Sequence, residues 1–221
     1  RSMLDVLSLQ SELALAIARE IQVKLTPQEH TQLATSRQID PEAYKAYLKG
    51  RAELPKYTES AMEEAERQFR HAIELAPDYA PAWAGLADAA YGLSNMYLAP
   101  NEAMPKARAA AEKALALDPN LAEAHTSLGI VKMAYDWDWA GAEREFDRAI
   151  ELQPGNASAH LYRGRLLVYQ GRFDDGLAAT RRALDLDPLS SICSAFLGWH
   201  LYFARRYDEA IHHYEKAAAL I

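Results

Sequence analysis

The chain has one cysteine, Cys193, in 221 residues. A lone thiol closes no internal disulfide and supplies no metal cluster, so neither device holds the fold and the redox compartment stays open. Basic residues are the minority charge: 24 Lys and Arg stand against 31 Asp and Glu, for a formal net charge of −7. They are also dispersed, whereas phosphate contacts need them clustered, which argues against nucleic-acid binding by this segment. Charge interrupts every apolar stretch well before the ~20 residues that span a bilayer, and no basic-then-apolar leader opens the chain. No phosphate-cradling glycine loop, zinc spacing or G-x-S-x-G elbow occurs. The expectation is therefore a non-enzyme with no cofactor, no metal and no membrane insertion. The chain begins at Arg1 and ends at Ile221 inside a helical pattern, which reads as a piece of a longer protein.

What is present is helix-forming and repetitive. Half the residues are hydrophobic and a quarter charged, enough to bury a continuous core. The strings HAIELAPDYA, KALALDPNLA, RAIELQPGNA and RALDLDPLSS place prolines at 77, 119, 154 and 188. The intervals are 119 − 77 = 42, 154 − 119 = 35 and 188 − 154 = 34. Two sit near a ~34-residue helical-hairpin period, and the long one is explained if the loop NMYLAPNEAMP carries an insertion.

Within each unit the residue types recur in register. His125, Leu128, Gly129 and Lys132 share one helix face by their spacing of three and four, as do His160, Arg163, Gly164 and Leu167, and Ser194, Leu197, Gly198 and Leu201. A helix glycine costs ~1 kcal/mol against alanine, so its recurrence at one register points to a close helix crossing. The second helices repeat small and aromatic residues as Ala142, Phe146 and Ala149; Gly176, Thr180 and Ala183; Ala210, Tyr214 and Ala217. Trp139, Phe173 and Tyr207 precede them as plugs for the inter-helix turn. Earlier units show Ala65, Phe69 and Ala72, then Trp83 and Leu86 with Ala107, Ala111 and Ala114.

These residues resemble the tetratricopeptide pattern, a Trp-x2-Leu-Gly-x2-Tyr helix followed by Ala-x3-Phe-x2-Ala-x4-Pro, over roughly residues 41–221. The resemblance implies an all-α, right-handed superhelical solenoid of antiparallel helix pairs in five units, about 41–77, 78–119, 120–154, 155–188 and 189–221. The first unit departs most, with Tyr44 and Tyr47 in a loose first helix and an extended turn at LPKYTES.

Residues 1–40 precede the repeats. Val6, Leu9, Leu13, Ile17 and Ile21 predict an amphipathic helix within residues 4–25. Thr26, Pro27 and Glu29 form a helix-start signature for a second, short helix, and Asp40 with Pro41 repeats it. The string DVLSLQSELALAIAREIQVKLTPQE, with IDPEAYKAYLKGR and YDWDWAGAEREFDRAIELQP, resembles the C-terminal part of bacterial multidomain signalling proteins. In those, a winged-helix, serine/threonine kinase or class III adenylate cyclase domain joins a TolB-like segment to tetratricopeptide repeats. Residues 1–40 would be the end of the TolB-like segment. The resemblance implies a cytoplasmic regulatory module, or the extracytoplasmic part of a membrane-tethered parent.

Seven histidines invite a metal reading that their positions deflate. His125 and His160 occupy the tetratricopeptide tryptophan slot and read as packed side chains. His212 and His213 are adjacent and point about 100° apart, so they cannot share an ion as an i, i+4 pair can. Asp136 and Asp138 sit in an inter-helix turn as caps, and Cys193 reads as a buried thiol. Binding is the better use of the surface. The resemblance carries a concave groove over by register to Lys45, Lys49, Asp88, Tyr91, Ile130, Met133, Leu161, Arg165, Val168, Tyr169, Trp199, Tyr202 and Phe203, a wall turning from charged to apolar. A lysine- and asparagine-based carboxylate clamp is not reproduced. The implied function is a protein- or peptide-binding scaffold; the alternative is self-association of the parent protein as a homodimer.

Overall fold

The computed structural model describes residues 39–220, so both helices expected in residues 1–40 lie outside the described residues. Ten α-helices and no strand occur among the described residues. They are α1 Pro41–Glu53, α2 Glu59–Leu75, α3 Ala80–Met96, α4 Pro100–Leu117, α5 Ala122–Val131, α6 Trp139–Leu152, α7 Ala157–Tyr169, α8 Phe173–Leu186, α9 Ser191–Phe203 and α10 Tyr207–Ala218. Odd- and even-numbered helices pair as hairpins, each hairpin packs on the next, and the odd-numbered helices also touch one another in sequence. The result is a helical solenoid with α1, α3, α5, α7 and α9 forming one wall. No described helix is long and apolar enough to cross a membrane.

The joints between hairpins share one geometry. Helices α2, α4, α6 and α8 end at Leu75, Leu117, Leu152 and Leu186, two residues before Pro77, Pro119, Pro154 and Pro188. The intervening Ala76, Asp118, Gln153 and Asp187 have φ of −140°, −137°, −141° and −135°. A following proline crowds a helical residue and favours extended dihedrals at it, and each of these helices ends there. Each of these residues still donates its N–H to the last turn, as Ala76 does to the Ala72 carbonyl at 2.9 Å. Its own carbonyl then accepts from the residue three on, closing a turn into the next helix; Tyr79 bonds Ala76 at 3.0 Å in this way.

The helix that follows is tied back to the same joint. At the first three joints the side chain six residues beyond the proline donates to the proline carbonyl: Trp83 Nε1 to Pro77 at 3.0 Å, His125 Nε2 to Pro119 at 3.0 Å and His160 Nε2 to Pro154 at 3.1 Å. The histidines thus repeat the tryptophan's donor role. Ser194 holds the slot after Pro188, and its fully buried hydroxyl has no partner among the described residues.

Close crossings explain the recurrent small residues. The Phe69 ring of α2 lies between α1 and α3, where a Cβ on Gly50 would sit 2.8 Å, and one on Gly85 2.5 Å, from its Cζ atom. In the fourth hairpin the backbones themselves meet: a Cβ on Gly164 would fall 2.8 Å from the Gly176 carbonyl oxygen. The turns within the first, third, fourth and fifth hairpins each place a positive φ two residues before the second helix, at Tyr57 (52°), Trp137 (59°), Gly171 (78°) and Arg205 (60°). The second hairpin differs. Its long interval is absorbed as helix rather than loop, because α3 runs to Met96 and α4 starts at Pro100, leaving only residues 97–99 between them. Proline is tolerated at that first helical position, where its missing N–H would have had no acceptor.

Candidate partner-binding groove

The odd-numbered helices line an open cavity of about 640 Å³, bordered by Arg51 of α1, Asp88 and Tyr91 of α3, Thr126 and Ile130 of α5, Leu161 and Tyr162 of α7, and Cys193 of α9. Four residues expected along a groove, Asp88, Tyr91, Ile130 and Leu161, are therefore gathered at one place. Lys45 and Lys49 are exposed and outside its border, Lys45 bonding Glu42 on its own helix. Met133 is a correction: it is 2% exposed and packs in the core with Met104 and Phe146. It lies in a π-helical turn, Lys132–Asp136, that follows α5. It follows Gly129 by four residues, as Val168 follows Gly164, and that register faces the even-numbered helices rather than the groove. Val168 is likewise buried, closing on Gly176.

Polar groups concentrate at the α3–α5 end of the cavity. Ser127 donates its hydroxyl to Asp88 at 2.6 Å. Burial pushes the Asp88 carboxyl up to about 6, against the pull of Arg51 and the Ser127 hydrogen bond. Burial likewise raises Tyr57 to about 12 and lifts the Cys193 thiol, which favours its neutral form.

Beside the cavity, between α7 and α9, Tyr169 and Trp199 assemble around a cation. Arg165 donates from Nε to the Tyr169 hydroxyl at 2.6 Å and from Nη1 to the Tyr91 hydroxyl at 2.8 Å. Its guanidinium carbon stands 5.3 Å from the Tyr169 ring centre and 5.5 Å from those of Phe196 and Trp199. Trp199 meets Tyr169 and Phe196 edge-on at 5.9 Å and Phe203 at 5.0 Å. Tyr202 and Phe203 are 54% and 45% exposed, so the strip is open beyond Trp199. Phe196 is absent from the groove residues expected by register; it lies three residues before Trp199, a spacing that could have found it.

The remaining titratable candidates have local duties. His200 is fully buried beneath this strip, with Nδ1 2.8 Å from the Thr180 hydroxyl. The Thr180 hydrogen goes to the Gly176 carbonyl at 2.9 Å, so His200 Nδ1–H donates to the hydroxyl oxygen and Nε2 is the unprotonated nitrogen. Burial, with the charge of Arg165, depresses its pKa to about 4 and keeps it neutral. His125 is different, since both ring nitrogens face acceptors: Nε2 the Pro119 carbonyl, and Nδ1 the Glu145 carboxylate at 2.7 Å. Only the imidazolium satisfies both. The hydrogen bond to Glu145 holds His125 above its ordinary value, and the same bond holds Glu145 below its own, with Lys132 2.6 Å from the other oxygen. Asp138 caps α6 through Gly141 N–H at 2.9 Å, whereas Asp136 pairs with Arg108. No group of three or more His, Cys, Asp or Glu among the described residues is placed to hold a metal ion.

A solenoid of stacked hairpins whose odd-numbered helices touch in sequence is the architecture of a repeat protein. The tetratricopeptide repeat family model matches residues 138–191 and 163–220, and this part of the chain carries tetratricopeptide repeats. Among solved structures, a thermophilic TPR protein of Thermus thermophilus matches with a TM-score of 0.63 and 20% identity, covering 80% of this chain and 91% of that one. The type IV pilus biogenesis factor PilW matches at 0.57 and 20%, covering 79% and 77%. Among curated proteins, the transcriptional regulator HilA of Salmonella typhimurium is 26% identical over 166 residues, 75% of this chain and 30% of HilA. Putative adenylate cyclase 3 of Rhizobium meliloti is 31% identical over 86 residues, 39% of this chain and 15% of that protein. The chain thus spans less than a third of the length of these curated relatives.

Proposed function

We propose that this chain is the protein-interaction module of a larger bacterial regulator, taking a peptide or protein segment along the wall of odd-numbered helices. The observation that carries this reading is the cavity bordered by five successive first helices, which the Arg165 aromatic cluster adjoins through the Tyr91 hydroxyl. The regulatory assignment rests on the similarity to HilA, a transcriptional regulator, over three quarters of this chain. A photo-crosslinking residue placed at Ser158, on the cavity wall, should capture a partner in bacterial extract, and the same residue at Glu63 of α2 should not. Equal capture at both positions, or capture at Glu63 alone, rejects the groove as the docking surface.

A second reading, self-association, draws on the outer side of the last hairpin. Tyr207, Ile211 and Tyr214 of α10 are 52%, 56% and 40% exposed, more apolar surface than a lone helix face ordinarily leaves in water. Sedimentation at rising concentration should then show a dimer that Ile211→Lys returns to monomer. A monomer throughout removes this reading.

A further inference from the structure

Arg165 is a half-buried cation with no carboxylate partner among the described residues. Acids are within reach of the same helix: two residues earlier, Arg163 pairs with Asp147 at 2.6 Å. What surrounds Arg165 instead is two phenol hydroxyls and three ring faces. Rings and phenols attract a cation through a quadrupole and dipoles, but they do not neutralise it. A charge partly withdrawn from water ordinarily has a counter-charge, so its absence here needs an explanation.

The geometry supplies one. A guanidinium carries five N–H groups in a planar fork, and the two tyrosines engage two of them. The other three include both on Nη2, and no nitrogen of Arg165 is among the buried atoms without a partner, so that edge reaches solvent. The rings and hydroxyls hold the plane of the group while its edge stays open, which is the preorganisation a bidentate carboxylate contact requires. Next to it, Trp199 and the exposed Phe203 and Tyr202 offer apolar surface on the same strip.

We propose that Arg165 is the anchor for a side-chain carboxylate of a peptide partner, whose neighbouring aliphatic or aromatic residue lies on Trp199 and Phe203. The inference rests on the groove reading and narrows it to a partner segment carrying Asp or Glu beside a large apolar residue. The chain's overall negative charge does not oppose this, because charges beyond about 8 Å are screened at physiological salt while the contact itself is direct.

The test uses the full chain and an array of random dodecapeptides, N-acetylated and C-amidated so that side chains carry the only carboxylates. Bound peptides should be enriched in Asp or Glu next to Leu, Phe, Tyr or Trp. In fluorescence anisotropy, replacing that acid by its amide should weaken binding about tenfold or more, and the wild-type comparison needs no variant of the protein. Arg165→Gln should erase the preference, with circular dichroism checking its fold. Peptides recovered with no acidic preference, or bound equally well as the amide, overturn the role of Arg165 and leave the groove reading standing. Binding confined to a second array with free C-termini assigns the site to a main-chain carboxylate and likewise overturns the proposal. An array that binds nothing removes the groove reading together with it.

Discussion

Gly85→Ala is a substitution whose sign separates local propensity from packing. On an open helix surface, alanine gains about 1 kcal/mol over glycine, so propensity alone forecasts stabilisation. At position 85 the new methyl would sit 2.5 Å from Phe69 Cζ. A flexible neighbour could swing away, but Phe69 is fully buried and its ring already lies against Gly50 on the other side. Overpacking a site that cannot relax costs about 1–3 kcal/mol, and a trapped ring belongs at the upper end. The net loss is then about 3 minus about 1, or about 2 kcal/mol. In a chain of this length that lowers Tm by about 4–8 °C. Differential scanning calorimetry measures it, with Gly155→Ala as the control, because a Cβ there meets nothing within 4 Å. Adding Phe69→Leu to Gly85→Ala should recover part of the loss by removing the ring the methyl strikes, a coupling that independent sites would lack. A neutral or stabilising Gly85→Ala, or simple additivity in the double variant, refutes the argument.

Three further outcomes follow from particular contacts. His125, held above its ordinary value, contributes stability that is full below about pH 6.5 and is lost as pH rises through its folded value; Glu145, held below its own, contributes stability present above about 4.5 and lost as pH falls. The unfolding free energy from urea titrations should therefore fall by the order of 1 kcal/mol from pH 6 to 9 in wild type but stay level in His125→Gln; parallel profiles count against the ion pair. Ser194→Ala removes an unpartnered buried hydroxyl and should be neutral or stabilising by up to about 1 kcal/mol in thermal unfolding; a clear loss would mean that the hydroxyl is bonded in solution. Trp199→Ala should cost about 2 kcal/mol or more through lost contact with Tyr169, Phe196 and Phe203, and should also weaken binding of any acidic peptide recovered; a stability loss with unchanged affinity assigns the ring to the core alone.

The helical solenoid is legible in the sequence because its signals are local. A proline disfavours a helical residue before it, and the same proline recurs after each Leu-ended helix, so Pro77, Pro119, Pro154 and Pro188 mark helix ends without tertiary information. Small residues at Gly129 and Gly164 are readable as close crossings for a similar reason. What is not legible depends on geometry the chain acquires only when folded. Met133 and Val168, each four residues after a crossing glycine, pack against even-numbered helices, a direction set by how closely the helices of a hairpin approach. His125 and His160 fall in the tryptophan slot by spacing, but their donor role needs the position of the proline carbonyl six residues back. The long second interval reads as a loop because Pro100 and Pro105 look like breakers, whereas Pro100 opens α4 and Pro105 is accommodated inside it. The grouping of Arg165 with Phe196 and Tyr91 spans three helices, and sequence spacing carries no such distance.

The four proline joints set a quantum for the length of the inner wall. Each joint repeats nearly the same dihedrals and the same hydrogen bond, so one unit begins at the same angle to its predecessor as the next does. Cutting out residues 120–154, from the residue after one joint proline through the next, would bring like to like and shorten the wall by one whole step. Duplicating them would lengthen it by the same step. Partner reach on this scaffold changes in units, as on a ruler, and a graded lengthening would need the kind of helix extension seen in the second hairpin.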